Sequence, residues 1–430
     1  MAAVSSSGYS GRWVCQADRV FDGECIHTGE ALIVDGDTVA AIVPAHLVPP
    51  ALPVLSAPGC TILPGLMDLH VHFMRWQGPL FLAYGVTTIR DVGNQQDWIL
   101  ARRADCERHL WPRIYAFGPV LDGPVPAHPS FSRACADLAS ARTAVVETAA
   151  AGVDGIKLYT GLRAEWLGAM VEAGHANGLH VSMHCGGEDG VLAAGAAGVD
   201  EFFHLDGLLA DIWPDNPGGW LSTWGHPGLA STFDHQERIA DRIRELGMIA
   251  TPTLAFWDAN RHPRSSGYPA PESINAGTRA GADTWRRALA AAQQFVGLLL
   301  DRGAPVLAGT DVPCALLKPG LSLWRELSLL VECGMSPIES LRAATSRAAA
   351  CLGNERLGRI APGCLADVVL VEGDPTRQIP DDPRIAAVVC AGRVLRAADL
   401  LLQAREELAS NTPDPIEGEI ARPLPAELGL

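Results

Sequence analysis

The chain has 430 residues, of which 48% are apolar, and a formal net charge of −16. That apolar content supports a large folded core and excludes global disorder, and the acidic balance argues against nucleic acid or an anionic membrane as partner. No uninterrupted apolar stretch is long enough to span a bilayer, and the N-terminus lacks a basic region followed by an apolar run, so a cytoplasmic protein is expected.

Residues 1–63 read as β structure. "RWVCQADRVFDG", "ALIVDGDTVAAIV" and "SAPGCTILPG" are short β-rich runs cut by Gly, Asp and Pro. From there to residue 357 strand and helix patterns alternate, as in parallel βαβ units. Eight strand candidates follow in order: "LPGLMDLHVHF", "GVTTIRDVG", "RIYAFGPVL", "GIKLYT", "HVSMHC", "EFFHL", "MIATPTL" and "PVLAGTD". Ala- and Leu-rich segments such as "ACADLASARTAVVETAAAG" and "EWLGAMVEAGHANG" separate most of them. Eight such units predict a (β/α)8 TIM barrel over 64–357. "DTWRRALAAAQQFVGLLLDRG", the longest apolar stretch, is charged at both ends and predicts an amphipathic helix. The β texture returns over 358–397, so the two termini are expected to build one small β-sandwich. Residues 398–430 form a Pro-rich acidic tail, surface-laid or mobile. The eleven cysteines show no CxxC pair and are expected to be free thiols; Cys185, beside His184, is the one of interest.

The polar residues at the strand ends carry the chemistry. His70 and His72 in "MDLHVHF" lie two apart on one strand and so face the same side. Paired neutral imidazoles suit Zn²⁺ or a similar divalent ion. His184 ends the fifth strand, His204 the sixth and Asp311 the eighth, and barrel chemistry sits at this end of the strands. Lys157 ends the fourth strand in "GVDGIKLYTG". A buried cation beside metals is disfavoured, whereas a neutral amine reacts with CO₂ to give a carbamate able to bridge two ions. From this segment alone, a salt bridge or an outward-pointing side chain explains the lysine equally well.

The chain resembles the amidohydrolase superfamily, in its binuclear carboxylated-lysine type and its prolidase-like and imidazolonepropionase-like branch. The resemblance rests on "LPGLMDLHVHF", "YGVTTIRDVGN", "GIKLYTG", "AAGAAGVDEFFHLDG", "ATPTL", "LAGTDV", "CGMSPIESLRAATSRAAACLG" and "LGRIAPGCLADVVLVEGDP". It implies that His70, His72 and Asp311 hold the more buried of two divalent metals and His184 and His204 the more exposed one. Carboxylated Lys157 bridges them. Zn²⁺ is expected, with Mn²⁺, Fe²⁺ or Co²⁺ as alternatives. It further implies a metal-dependent hydrolase that cleaves an amide-type C–N bond of a small molecule (an N-acyl amino acid, dipeptide or cyclic amide). A hydroxide between the metals attacks, and Asp311 takes the proton and returns it to the leaving amine.

The pattern departs from that branch at Gly186, where relatives commonly carry a tyrosine two residues after the fifth-strand histidine. His128 in "LDGPVPAHPSF" stands where relatives carry a loop histidine, and is read as either a substrate contact or an ordinary loop residue. Tyr159 shares the face of Lys157 and is either a substrate contact or a barrel-layer side chain. Arg75 either recognises a carboxylate or forms a surface salt bridge. The long loop after the sixth strand carries Trp213, Trp220 and Trp224, forming either an aromatic lid over substrate or a loop packed on itself or on another subunit. A homo-oligomer is expected. The rival readings are a mononuclear deaminase, for which Glu188 and Asp189 are poorly spaced, a lactonase or esterase on the same centre, and a non-catalytic scaffold.

Overall fold

A computed structural model describes residues 9, 11–106, 108–186, 190–214, 220–261, 281–410, 413–417 and 419. Glu188, Asp189 and the side chain of Trp220 lie outside the described residues.

Five strands open the chain: β1 (Arg12–Phe21), β2 (Ile26–Thr28), β3 (Glu30–Asp35), β4 (Thr38–Pro44) and β5 (Val54–Pro64). The barrel segment supplies β6 (Leu66–Val71), β7 (Val86–Asp91), β8 (Arg113–Ala116), β9 (Val120–Asp122), β10 (Ser132–Ala134), β11 (Gly155–Leu158), β12 (His180–His184), β13 (Glu201–Phe203) and β14 (Ile249–Thr251). The C-terminal part returns with β15 (Val368–Glu372), β16 (Ile385–Cys390) and β17 (Arg393–Leu395).

Both termini join one sheet, in the order β17-β16-β15-β5-β1-β3-β4, with β2 paired to β1. This is the β domain expected from the two termini, its strands joined in one hydrogen-bonded path. It has a core of its own: Trp13, Leu32, Ile62, Val368 and Val389 are all buried in one cluster. The β3–β4 turn meets the β16–β17 turn so closely that a Cβ on Gly392 would lie 1.8 Å from the Gly36 carbonyl oxygen. Only glycine permits that approach.

The barrel wall consists of parallel strands in two arcs. One is β6-β7-β8, and the other contains β9, β11, β12, β13 and β14 in that order, with β10 beyond β9. A bond from the Asp154 N–H to the Ala116 carbonyl (2.8 Å) crosses between the arcs. The eighth strand is reduced to isolated bridges, Ala250 to Val306 and Val71 to Val312, so the ladder is not continuous around the ring. The reason is local. Gly309 is packed against β6, where a Cβ would lie 2.8 Å from His70 Cβ, and Asp311 has φ +66°, which ends extended pairing.

Helices cover the wall. Leu138–Ala150 starts at a capping box in which Asp137 and Ser140 satisfy each other's backbone N–H groups. Ala282–Asp301 is the amphipathic helix expected, burying Trp285, Ala288, Leu289, Ala292, Phe295, Val296 and Leu299 at helical spacing. No helix among the described residues is long and apolar enough to cross a membrane.

The C-terminal segment is more ordered than its composition suggested. Ala397–Ala409 is a helix packed on the helix Gln77–Ala83. Beyond it, Asp414 and Ile416 are 3% and 0% exposed. Ile416 sits with Met74, Trp76, Leu80 and Phe131. Burying an apolar residue here ties the segment to the barrel mouth by removing that surface from water.

Candidate metal centre

The predicted metal ligands converge at the C-terminal ends of the barrel strands. His70 Nε2 lies 3.3 Å and His72 Nε2 3.6 Å from Asp311 Oδ1. The rings of His70 and His204 are 4.7 Å apart and those of His184 and His204 4.5 Å. Ligand atoms of His70, His204 and Asp311 all fall within 4.8 Å of one another. Two of these residues have unusual backbones, His204 at φ +62° and Asp311 at φ +66°. Such left-handed non-glycine conformations cost energy and cluster at functional sites.

Neighbouring groups orient the imidazoles, as they do around bound metals. His72 Nδ1 bonds to the Gly93 carbonyl at 2.9 Å, and His204 Nδ1 to Thr253 Oγ1 at 2.7 Å. Each leaves Nε2 free for a ligand. His184 is turned the other way, with Nε2 2.9 Å from Asp206 Oδ2, so its Nδ1 is the open nitrogen. Asp68 accepts bonds from the Thr310 N–H and hydroxyl at 3.0 and 2.7 Å, holding the residue next to Asp311. Asp91 accepts from Phe73 N–H and Asn94 Nδ2 and anchors the turn after the His-x-His pair.

Lys157 is 2% exposed, and its Nζ has no hydrogen-bond partner among the described residues. It rests 3.6 Å from the centroid of Phe203, whose ring packs on His70 at 4.3 Å. Burial lowers its pKa to about 7, although the Asp311 charge opposes that fall. Burial likewise raises Asp311 to about 7, against the pull of Lys157. The histidines are pushed toward neutrality: burial takes His72 down to about 3 and places His70 and His204 well below the usual imidazole range. Neutral imidazoles, a neutral amine and a carboxylate are the forms that bind cations. The Nδ1 of His70 is also buried without a partner. An unsatisfied amine and ring nitrogen, in a nest of oriented imidazoles, fit an absent cationic centre.

A second group, His180, Glu201 and Cys351, has metal-like spacing, but a cation already fills it. Arg90 donates to both Glu201 oxygens at 2.8 and 2.6 Å and to Cys351 Sγ at 3.6 Å. Burial pushes Glu201 up, and Arg90 and His180 more than reverse this, bringing it to about 2.

The expected substrate contacts divide. Tyr159 packs its ring, tilted, 4.7 Å from His184, and its hydroxyl lies 3.0 Å from His128 Nε2, so both border the centre. Arg75 does not present its guanidinium freely, because Nε bonds Asp414 Oδ1 at 2.7 Å. Trp224 is 1% exposed and packs edge-on against Trp257 and Phe295. It follows the packed-loop reading, in place of the aromatic lid. Trp213 is half-buried and meets His226 within the same loop, 5.3 Å between rings. At Gly186 a Cβ would lie 2.5 Å from Thr160 Cγ2, so a side chain there would have to displace Thr160. Cys185 is buried and its thiol pushed far up by burial, which makes it inert; none of the cysteines is in a disulfide.

Asp206, Thr253, Asp68 and Glu419 escaped the sequence reading. Asp206 had a local signal, two residues after His204 in "FFHLDG". Glu419 had none, since its partner His128 lies 291 positions away.

Comparison with known proteins follows the same lines. Over 103 residues the chain is 33% identical to the imidazolonepropionase of Streptomyces griseus subsp. griseus, a stretch covering 22% of this chain and 25% of that relative. The matched stretch thus spans about a quarter of that relative's length. Among solved structures, a Xaa-Pro dipeptidase with bound methionine superimposes with a TM-score of 0.70 at 20% identity, over 90% of this chain and 100% of the other. A putative prolidase from Bifidobacterium longum gives 0.69 at 22% identity, over 93% and 100%. At these identities the superpositions establish the shared fold. The sequence profile of the amidohydrolase family matches residues 61–395, from within β5 through the whole barrel to the end of β17, and the chain therefore belongs to the amidohydrolase family.

Proposed function

We propose that this protein is a metal-dependent hydrolase that cleaves an amide C–N bond of a small molecule at a two-metal centre bridged by carboxylated Lys157. The observation that carries this reading is the buried, unpartnered Lys157 amine set among His70, His72, His184, His204 and Asp311. CO₂ adds to the neutral amine, one proton leaves, and the neutral amine becomes an anionic carbamate with two oxygens. His70, His72 and Asp311 would hold one divalent ion and His184 and His204 the other, with Zn²⁺ suited to the donor set. Bound metals would supply Lewis-acid polarisation of the carbonyl and an activated water.

The chain's own residues do the rest. Asp311, placed beside His70 and His72, accepts a proton at Oδ1 or Oδ2 and returns it to the leaving nitrogen. Tyr159 and His128 border the centre and orient the substrate. Membership of the amidohydrolase family supports amide hydrolysis. The test is a panel of N-acyl amino acids, dipeptides, cyclic amides and lactones, assayed with Zn²⁺- and Mn²⁺-loaded protein. Turnover of amides supports the reading; turnover of lactones alone overturns it. A cytoplasmic location and a homo-oligomeric assembly are part of the same proposal, tested by fractionation and by light scattering.

A further inference from the structure

Two carboxylates from the C-terminal segment reach the barrel mouth. Asp414 holds Arg75 through Nε at 2.7 Å and the Arg75 N–H at 3.1 Å. Glu419 accepts from the Ser130 N–H at 2.6 Å through Oε1 and faces His128 Nδ1 at 3.1 Å through Oε2. The segment is anchored between these contacts by the buried Ile416.

The second contact sets the chemistry of His128. A carboxylate only accepts hydrogen bonds, so it fixes the His128 proton on Nδ1. Nε2 then carries a lone pair and points toward the Tyr159 hydroxyl, 3.0 Å away. His128 is clamped in that pose. Its ring stacks on Phe131 at 5.0 Å and 11°, Phe131 packs on His72, and Tyr159 packs on His184. The Glu419–His128–Tyr159 chain therefore ends one ring away from the metal centre. Burial also lowers the pKa of His128, against the raising effect of Glu419, consistent with a neutral ring. A further carboxylate, Asp122, ties the same loop down by accepting from the Ala127 and Gly161 N–H groups. With Arg75 engaged by Asp414, this wall offers acceptors.

We propose that Glu419, a positioning residue acting through His128, makes this wall of the substrate pocket select a neutral or cationic substrate end over a free carboxylate. The inference rests on the hydrolase reading for the pocket's location, but it is a statement about recognition. Nε2 accepts the Tyr159 O–H, which leaves the lone pairs of the Tyr159 oxygen for an N–H or ammonium group of the substrate. A carboxylate meets those lone pairs and the field of Glu419, and its own hydrogen-bonding capacity goes unmet, which costs affinity.

The test uses full-length, Zn²⁺-loaded protein and a matched pair of probes, N-acetyl-L-phenylalaninamide and N-acetyl-L-phenylalanine. Binding is read by stopped-flow tryptophan fluorescence before turnover, and turnover is measured separately. The wild type should bind the amide about tenfold more tightly than the acid. Glu419→Gln keeps the bond from Ser130 but can donate its amide N–H to Nδ1, which reverses the His128 tautomer. It should bring the two affinities to within about threefold of each other, while Glu419→Asp keeps the wild-type preference. Equal or tighter binding of the acid by the wild type overturns the proposal. So does a Glu419→Gln ratio that does not move, a parallel loss of both affinities, or no binding of either probe. If the affinity ratio behaves as expected while no amide is hydrolysed, the hydrolase reading fails and this inference stands.

Discussion

The Nζ of Lys157 lies 3.6 Å from the centroid of the Phe203 ring, with no hydrogen-bond partner among the described residues. An amine buried to 2% exposure against an aromatic face keeps little of its hydration. The ring attracts a cation weakly, but burial dominates and brings the pKa to about 7. A substantial neutral fraction at physiological pH is the condition for reaction with CO₂.

Removing that amine should remove the bridge. Lys157→Ala is expected to bind fewer metal ions than the wild type and to lose activity, both restored in part by millimolar acetate or propionate. Metal content by plasma emission spectrometry, with and without the added acid, checks this. Unchanged metal content in Lys157→Ala would contradict a bridging role.

Asp311→Asn should remain folded and lose about 10³-fold in kcat/KM, because the amide cannot accept and return the proton. Circular dichroism accompanies the assay. Near-normal turnover would remove Asp311 from its role.

The ion pair inside the barrel makes a separate claim about stability. Glu201 is fully buried and has its pKa lowered to about 2, below its unfolded value. Its contribution is complete above the unfolded pKa and disappears as pH falls through the folded one. A shift of this size corresponds to about 3 kcal/mol. The stability difference between wild type and Glu201→Gln should therefore be constant above about pH 5 and shrink between about pH 4.5 and pH 2. Chemical denaturation across that range measures it.

Arg75→Ala removes the guanidinium from the nearly buried Asp414 and leaves it only the residue-75 N–H. Uncompensated buried charge is strongly destabilising locally, so the C-terminal segment should detach from the barrel mouth. Limited proteolysis should cut within residues 397–419 several times faster in Arg75→Ala than in the wild type. Equal cutting rates would show that Ile416, the helix and Glu419 hold the segment without the Arg75 guanidinium.

The candidate metal centre was legible in the sequence because each candidate ends a short apolar strand. Period-two alternation placed His70 and His72 together, and the barrel order placed Lys157, His184, His204 and Asp311 on the same rim. The groups that aim these residues were legible only in part. Gly93 and Thr253 act on His72 and His204 across 21 and 49 positions, and no local pattern encodes such pairings. Trp224 illustrates the opposite error. A tryptophan on a long loop resembles a lid residue, but its apolar area is better spent in the core beside Trp257. Composition left the tail as surface-laid or mobile, and Asp414, Ile416 and Glu419 follow the surface-laid alternative.

The account turns on the state of Lys157. ¹³C NMR of Zn²⁺-loaded protein prepared in ¹³C-bicarbonate measures it directly. The account predicts one carbamate resonance near the carboxylate region, absent from Lys157→Ala and lost when the metals are chelated. A spectrum without that resonance, from protein that carries its metals and is active, would contradict it.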